Sequence, residues 1–323
     1  GELTGNDAVG ATSNFFALGG DSIQAMKLVA LITGKLGANI PVRALFRHPT
    51  PRELGAHILS ERKEDNIFLP LSIDQGGAII IAVHPGGGFA SVYTSLAKSL
   101  SSYNWVGIDA HLSIEGTYVS DTIQGLAHEY IDYIVRIYPE REIILLGWSF
   151  GGNIAQHIAS LLVDRGKPPL ALILLDAVGA VAEEDTQFDR QTVLSRMGTE
   201  LDLPPASNPP DADWLTLLAN ILEEKELIPA GLDNNALLQA LDRTIAASSM
   251  IARHQPIPHN TPTLLIKALV NPAPEPYYSI WKNLSSAYDE VGIDVSHGIL
   301  CAPSSSESLA QLIKTFIAKK LGE

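Results

Sequence analysis

Residues 142–164, EIILLGWSFGGNIAQHIASLLVD, constrain the fold of this chain more than any other stretch. A short unbroken apolar run ends at Gly147-Trp148-Ser149-Phe150-Gly151, and a helical pattern from Phe150 to Asp164 follows at once. An apolar run without alternation reads as a parallel strand covered on both faces. The glycines let strand and helix approach closely, and a serine at the apex of so sharp a turn has its hydroxyl exposed. The pentapeptide G-x-S-x-G in this context predicts a nucleophile elbow with Ser149 as the nucleophile. The plainer alternative is a turn serine that merely starts a helix.

The same grammar runs from residue 78 onward. AIIIAVHPGGG, NWVGIDA, LALILLDAVGA, TPTLLIKA and IDVSHGIL read as strands or strand ends. Between them lie an amphipathic stretch at 121–138, the helix after Ser149 and a last helix near 305–320. Strands alternating with helices predict an α/β fold with a mostly parallel, doubly wound sheet and helices on both faces. Residues 181–257 interrupt the alternation with acidic, proline-broken, helical sequence. An insertion of that length reads as a lid or binding element.

A serine hydroxyl needs a base, and the base needs a carboxylate to orient it. In this kind of fold the chain order is serine, acid, histidine. Asp176 closes the run LALILL, at the carboxyl end of a predicted strand where open α/β sheets place functional groups. Its rivals are Asp185, Asp189 and Asp294. His297 follows the short strand IDVS and precedes the last helix, so it is the expected base. His254 and His259 end the insertion, His84 precedes the glycine turn, and His128 and His157 sit on helix faces. For the oxyanion, Phe150 offers the N–H after the nucleophile, and Gly86 or Gly87 in HPGGG offers a second donor. HPGGG lacks the lysine of a phosphate-binding P-loop, which argues against a nucleotide site.

Residues 1–62 read differently, as a small helical domain. SIQAMKLVALITGKLG has helical spacing, with Gly37 as its stop. In IPVRALFRHPTPRELGAHIL, Thr50 can cap a last helix with Pro51 in its first turn and Glu53 at its third position. The charged SERKEDN at 60–66 reads as solvated linker, so the domains are 1–62, a linker at 63–70, and 71–323. Ser22, in FFALGGDSIQAMKL, has no strand leading into it. Asp21 or Ser22 would serve as an N-cap there, but that leaves FFALGG unexplained.

Net charge is −14, which repels phosphate backbones and argues against nucleic-acid binding. No apolar run is long enough for a membrane span, and GELTGNDAVG lacks the basic and apolar regions of a signal peptide. No Cys/His cluster has metal-ligand spacing, so no metal is expected. The single cysteine, Cys301, excludes an internal disulfide, fits a reducing cytoplasm, and reads as a small packed residue.

NFFALGGDSIQAMKL closely resembles the phosphopantetheine attachment site of peptidyl carrier domains in nonribosomal peptide synthetases, and IPVRALFRHPTPRELGAHI resembles the later part of that domain. The resemblance implies a 4'-phosphopantetheine arm on Ser22, flanked by Gly20 and Asp21. Ile23, Met26 and Lys27 on the following helix would touch partner domains or, for Ile23 and Met26, pack the carrier core. The family also has a first helix ahead of this loop, which the sequence from Gly1 does not contain. HPGGGFAS, GWSFGGNIA, LLDA and VSHGIL resemble, in order and spacing, the thioesterase domain that follows such a carrier. This implies an α/β-hydrolase fold and transfer of an acyl or peptidyl chain from Ser22 to Ser149, with hydrolytic or cyclising release. Upstream adenylation and condensation domains and a phosphopantetheinyl transferase are the implied partners. A catalytically inert or editing hydrolase-like domain attached to a carrier is the competing reading.

Overall fold

The computed structural model describes residues 9–21, 24–25, 27–29, 31–32, 44–45, 48–56, 67–113, 115–179, 190–205 and 210–321. The chain divides into two compact units, Gly1–Asn66 and Ile67–Glu323. Ser22, Ile23 and Met26 lie outside the described residues.

In the smaller unit Phe15, Ala25, Ala44, Leu45 and Leu54 form the core. The stretch that an N-cap alone left unexplained has local reasons. Asn14 accepts hydrogen bonds from the N–H groups of Phe16 and Ala17. Gly19 has φ +92°, and the Phe15 ring lies where a side chain at Gly20 would sit. Asp21 fills the N-cap: its carboxylate accepts from the Gln24 N–H at 2.8 Å, and the Gln24 amide oxygen accepts from the Asp21 N–H at 2.9 Å. The expected capping box between Thr50 and Glu53 is made as well. Phe15 N–H to Pro49 O and Arg52 N–H to Ala11 O tie the loop to that second cap.

The described strands of the larger unit form a seven-stranded sheet in the order β1-β3-β2-β4-β5-β6-β7. They are β1 (Phe68–Pro70), β2 (Ile79–Val83), β3 (Asn104–Ile108), β4 (Ile143–Trp148), β5 (Ala171–Leu175), β6 (Thr263–Val270) and β7 (Tyr288–Ser296). Only β1 runs antiparallel to its neighbour. This corrects the linker expected at 63–70, whose last residues form an edge strand. Phe68 packs edge-on against Tyr133 and Tyr138, and Pro70 sits at an edge, where a missing N–H is tolerated. β7 is also longer than the IDVS read from sequence, because YDEVG pairs with β6 before it.

Alternate strand residues face opposite layers. Ile80, Ala82, Ile144 and Leu146 face α1 (Thr94–Ser99) and α8 (Pro303–Leu321). Ile79, Ile81, Val83 and Leu145 face α2 (Ile123–Ile137) and α3 (Phe150–Asp164). After β5 come α4 (Arg190–Glu200), α5 (Ala212–Glu224) and α6 (Asn234–Arg253), and α7 (Pro276–Lys282) follows β6. Helix α6 joins both layers: Leu237 and Leu241 belong to one apolar cluster, Ala247 and Met250 to the other. The insertion is therefore anchored through α6 in the body of the unit. Cys301 is buried.

Candidate active site

Ser149 stands between β4 and α3 with φ 54° and ψ −123°. An L-residue with a side chain is strained there, at a cost of about 1–3 kcal/mol. Its neighbours explain how the strain is held. Ser149 N–H donates to Leu175 O at 2.9 Å, and its carbonyl accepts from Gly152 N–H at 2.9 Å. A Cβ on Gly147 would run into the Gly151 backbone, and one on Gly151 into the carbonyl oxygens of Val83 and His84. The elbow closes because those positions carry hydrogen.

Asp176 follows β5, also at positive φ, and is 3% exposed. Its backbone N–H donates to Ile266 O at 2.7 Å. Oδ1 accepts from the Tyr278 hydroxyl at 2.6 Å and from the Ala268 N–H at 2.9 Å. Oδ2 meets His297 Nδ1 at 2.7 Å. Burial pushes the Asp176 carboxyl up, but the hydrogen bonds from His297, Tyr278 and Ala268 outweigh it and hold the group below its usual range. An ionised carboxylate only accepts, so Nδ1 of His297 carries hydrogen and Nε2 is the basic nitrogen. His297 begins the turn after β7, with its ring against Trp148 at 5.5 Å between centroids.

Ser149 and His297 line one cavity of about 240 Å³, together with Pro85, Gly86 and Gly87. No acceptor among the described residues takes the N–H groups of Gly86, Gly87 or Phe150. The loop carbonyls, in contrast, are engaged. His84 Nδ1 donates to Pro85 O at 2.8 Å, Tyr118 hydroxyl to Gly86 O at 2.7 Å, and Arg243 Nε to Gly87 O at 3.0 Å. In a trans peptide the carbonyl and the next N–H point to opposite sides, so fixing the carbonyls of Pro85 and Gly86 aims the N–H groups of Gly86 and Gly87, while the N–H of Gly88 closes back on Pro85 O at 2.9 Å. Gly86 and Gly87, with free N–H groups, line one cavity with a serine and a base, and the free N–H of Phe150 directly follows that serine, a set suited to an acyl-transfer oxyanion.

The remaining cavity wall comes from the insertion and is mainly apolar, with Val193, Met197, Leu222, Leu227, Leu237 and Leu241. Glu200 is the carboxylate among its described lining residues, and a side chain at Gly298 would meet it.

The other candidates lie elsewhere. His84 is wholly buried, its Nε2 on the Tyr130 hydroxyl at 2.8 Å, and burial lowers its pKa to about 4. His157 and His254 are buried face to edge with each other, and burial lowers both to about 4. Asp294 is exposed on β7, while Asp185 and Asp189 lie outside the described residues. Sequence reasoning missed Tyr278, Arg243 and Glu200. Arg243 had a signal: it stands within the apolar stripe of Leu237, Ala240, Ala247 and Met250. Tyr278 and Trp281 show a buried helical spacing on α7, though nothing in it points to Asp176.

A family model for the thioesterase domain matches residues 78–266, more than half of the chain. The chain belongs to the thioesterase domain family. The model for the phosphopantetheine attachment site matches residues 1–58, so the thioesterase follows a carrier, as in nonribosomal peptide synthetases. A dimodular nonribosomal peptide synthase of Bacillus subtilis (strain 168) is 26% identical over 321 residues, covering 96% of this chain and 13% of the relative. Malpinin synthetase of Mortierella alpina is 25% identical over 325 residues, 97% of this chain and 4% of that protein. The thioesterase chain thus spans a small part of the length of these relatives.

Among solved structures, a four-domain nonribosomal peptide synthetase bound to AMP and glycine has a TM-score of 0.63 at 20% identity, covering 97% of this chain and 25% of that one. The surfactin thioesterase domain has a TM-score of 0.57 at 17% identity, covering 78% and 96%. At these identities the likeness speaks for the α/β-hydrolase fold alone.

Proposed function

We propose that this didomain is the terminal release module of a nonribosomal peptide synthetase, with Ser149, His297 and Asp176 as its catalytic triad. The observation that carries the reading is the Asp176–His297 pair at 2.7 Å beside a strained elbow serine in the same cavity. An inert hydrolase-like domain would leave both the strain and the buried carboxylate without a purpose.

Ser22 is the residue that would carry the arm. The turn before it suits a covalent attachment, because Gly19 and Asp21 are exposed at the surface of the smaller unit. Lys27 is exposed on the same helix and suits contact with a partner domain. A 4'-phosphopantetheine arm, when bound, supplies the acyl chain as an activated thioester.

His297 Nε2 takes the Ser149 Oγ proton as Oγ attacks the thioester carbonyl. The oxyanion forms against the N–H groups of Phe150 and of Gly86 or Gly87. As the carbon–sulfur bond breaks, His297 returns the proton to the leaving sulfur, and the acyl group remains as an ester on Ser149. His297 then deprotonates water or a nucleophile of the chain itself, and Ser149 recovers its proton as the product leaves. Asp176 stays ionised throughout and stabilises the imidazolium. The apolar wall suits a largely apolar acyl or peptidyl chain. Upstream adenylation and condensation domains would build that chain, and a phosphopantetheinyl transferase would load Ser22.

An acyl-pantetheine thioester tests the reading. Wild-type protein should release thiol, and Ser149→Ala should not; undiminished turnover by that variant would remove Ser149 from the mechanism.

A further inference from the structure

Helix α6 of the insertion reaches the loop of the proposed oxyanion donors through one side chain. Arg243 is 5% exposed. Its Nε donates to Gly87 O at 3.0 Å and one terminal nitrogen to Gly116 O at 2.9 Å. The guanidinium also lies over the Phe89 ring, 5.5 Å from its centre, and Phe89 lines the cavity. No salt bridge joins Arg243 to a carboxylate among the described residues, whereas its neighbour Asp242 pairs with Arg190 at 2.5 Å. Burying a cation is costly unless other groups replace its hydration, and here two backbone carbonyls accept from it in place of a carboxylate.

What it organises follows from the loop. The peptide planes 85–86, 86–87 and 87–88 are fixed in turn by His84, Tyr118 and Arg243. The third joins Gly87 to Gly88, whose N–H donates to Pro85 O at 2.9 Å; Arg243 and that bond together close the turn that carries the Gly86 and Gly87 donors. Gly88 has φ +93°, and a side chain there would meet Arg243 Nε at 3.1 Å. The backbone of α6 is close as well, with Thr244 Cα 3.3 Å from where a Cβ on Gly86 would lie.

We propose that Arg243 is a positioning residue: through Gly87 it holds the oxyanion loop in its catalytic geometry and makes that geometry depend on the seating of α6. This inference rests on the reading of Ser149 as the acyl-accepting nucleophile. Substrate entry that shifts α6 would release the Gly87 carbonyl and loosen the turn that carries the donors, and reseating would tighten it again. The insertion then acts on the chemical step as well as on the shape of the pocket.

The test compares Arg243→Gln, Arg243→Lys and Arg243→Ala with wild type on an acyl-pantetheine thioester. Two ligands separate the roles: an acyl trifluoromethyl ketone, which forms an oxyanion on Ser149, and an acyl-pantetheine amide, which binds without reacting. Misplaced donors should lower kcat in Arg243→Gln by roughly 30-fold, with KM changed by less than about threefold. Affinity for the ketone should fall by a factor similar to the fall in kcat, and affinity for the amide should hold. Arg243→Lys should fall between, and added methylguanidinium should restore Arg243→Ala while methylammonium does not.

Equal weakening of ketone and amide, or a kcat within threefold of wild type, would overturn the proposal. If Arg243→Gln melts too early to assay, the cation-specific rescue of Arg243→Ala decides, and absence of rescue in folded protein counts against it. Wild-type turnover that survives Ser149→Ala would refute the thioesterase reading itself, a result distinct from all of these.

Discussion

Asp176→Asn is the perturbation whose outcome the geometry specifies most closely. The aspartate accepts at both oxygens: two donors, Tyr278 O–H and Ala268 N–H, reach Oδ1, and His297 Nδ1 reaches Oδ2. The amide of Asp176→Asn has only one acceptor. Placed at Oδ1 it keeps both donors and turns its NH2 toward His297. Nδ1 must then accept, so Nε2 carries the hydrogen and cannot take the Ser149 proton. The opposite orientation leaves the Ala268 N–H facing an NH2, a loss of about 1–3 kcal/mol, and removes the Tyr278 donation, about 1 kcal/mol. A total near 3 kcal/mol favours the unproductive tautomer about a hundredfold.

Loss of the carboxylate charge adds to this, and the same substitution in serine proteases lowers kcat about 10⁴-fold. The expected fall for Asp176→Asn is therefore about 10³ to 10⁴ in kcat, read as thiol release from an acyl-pantetheine thioester at neutral pH. Adding Tyr278→Phe removes one of the two donors that hold the amide. The double variant should recover roughly fivefold, the worth of about 1 kcal/mol. Retention of activity within tenfold by Asp176→Asn would refute the reasoning. So would a double variant slower than Asp176→Asn alone.

Ser149→Gly should abolish turnover yet raise stability, because glycine accepts φ 54°, ψ −123° without strain. Relief of about 2 kcal/mol, the middle of the range for such strain, less about 1 for glycine entropy leaves about 1 kcal/mol, a rise of about 2–4 °C in Tm, which Ser149→Ala should lack. Gly151→Ala should destabilise by about 3 kcal/mol, since its Cβ meets the backbone oxygens of Val83 and His84; an unchanged Tm would contradict that packing. Tyr118→Phe frees the carbonyl of Gly86 and should lower kcat about tenfold with little change in KM.

Acid should also destabilise the larger unit. His84 has a folded pKa of about 4, below the ordinary value near 6.5, so the unfolded chain binds its proton first. Its contribution is complete above about pH 6.5 and falls away down to about 4, by about 3 kcal/mol. Asp109, raised to about 6 by burial, works in the opposite direction between about 4 and 6. His84→Gln should therefore flatten the acid side of the curve of Tm against pH; an unchanged slope would refute the assignment.

Much of the scaffold was legible because fully buried parallel strands are written as continuous apolar runs. β2, β4 and β5 each show one, and each is buried along its length. Asp176 and His297 were legible from position alone, one at the end of β5 and the other after β7, although 121 residues separate them. β1 was missed because three residues behind a charged stretch carry no period, and their pairing depends on β3. The supports of the site were less visible. Tyr278 reaches Asp176 across 102 residues, and Arg243 reaches Gly87 across 156. Such contacts are set by how α6 and α7 pack on the sheet, which no local pattern records. In the smaller unit Phe15 and Gly20 explained each other only once the ring was placed on the glycine.

The central claim is that the acyl group passes from Ser22 to Ser149. A phosphopantetheinyl transferase with an acyl-coenzyme A donor would load the wild-type protein, and rapid acid quenching with peptide mass spectrometry would follow the acyl mass. The account expects that mass to leave the peptide of Ser22, appear as an ester on the peptide of Ser149, and then disappear as product forms. Ser149→Ala should hold it on Ser22, and Ser22→Ala should never gain it. Release from Ser22 at the wild-type rate in Ser149→Ala, without an ester on the second serine, would contradict the account.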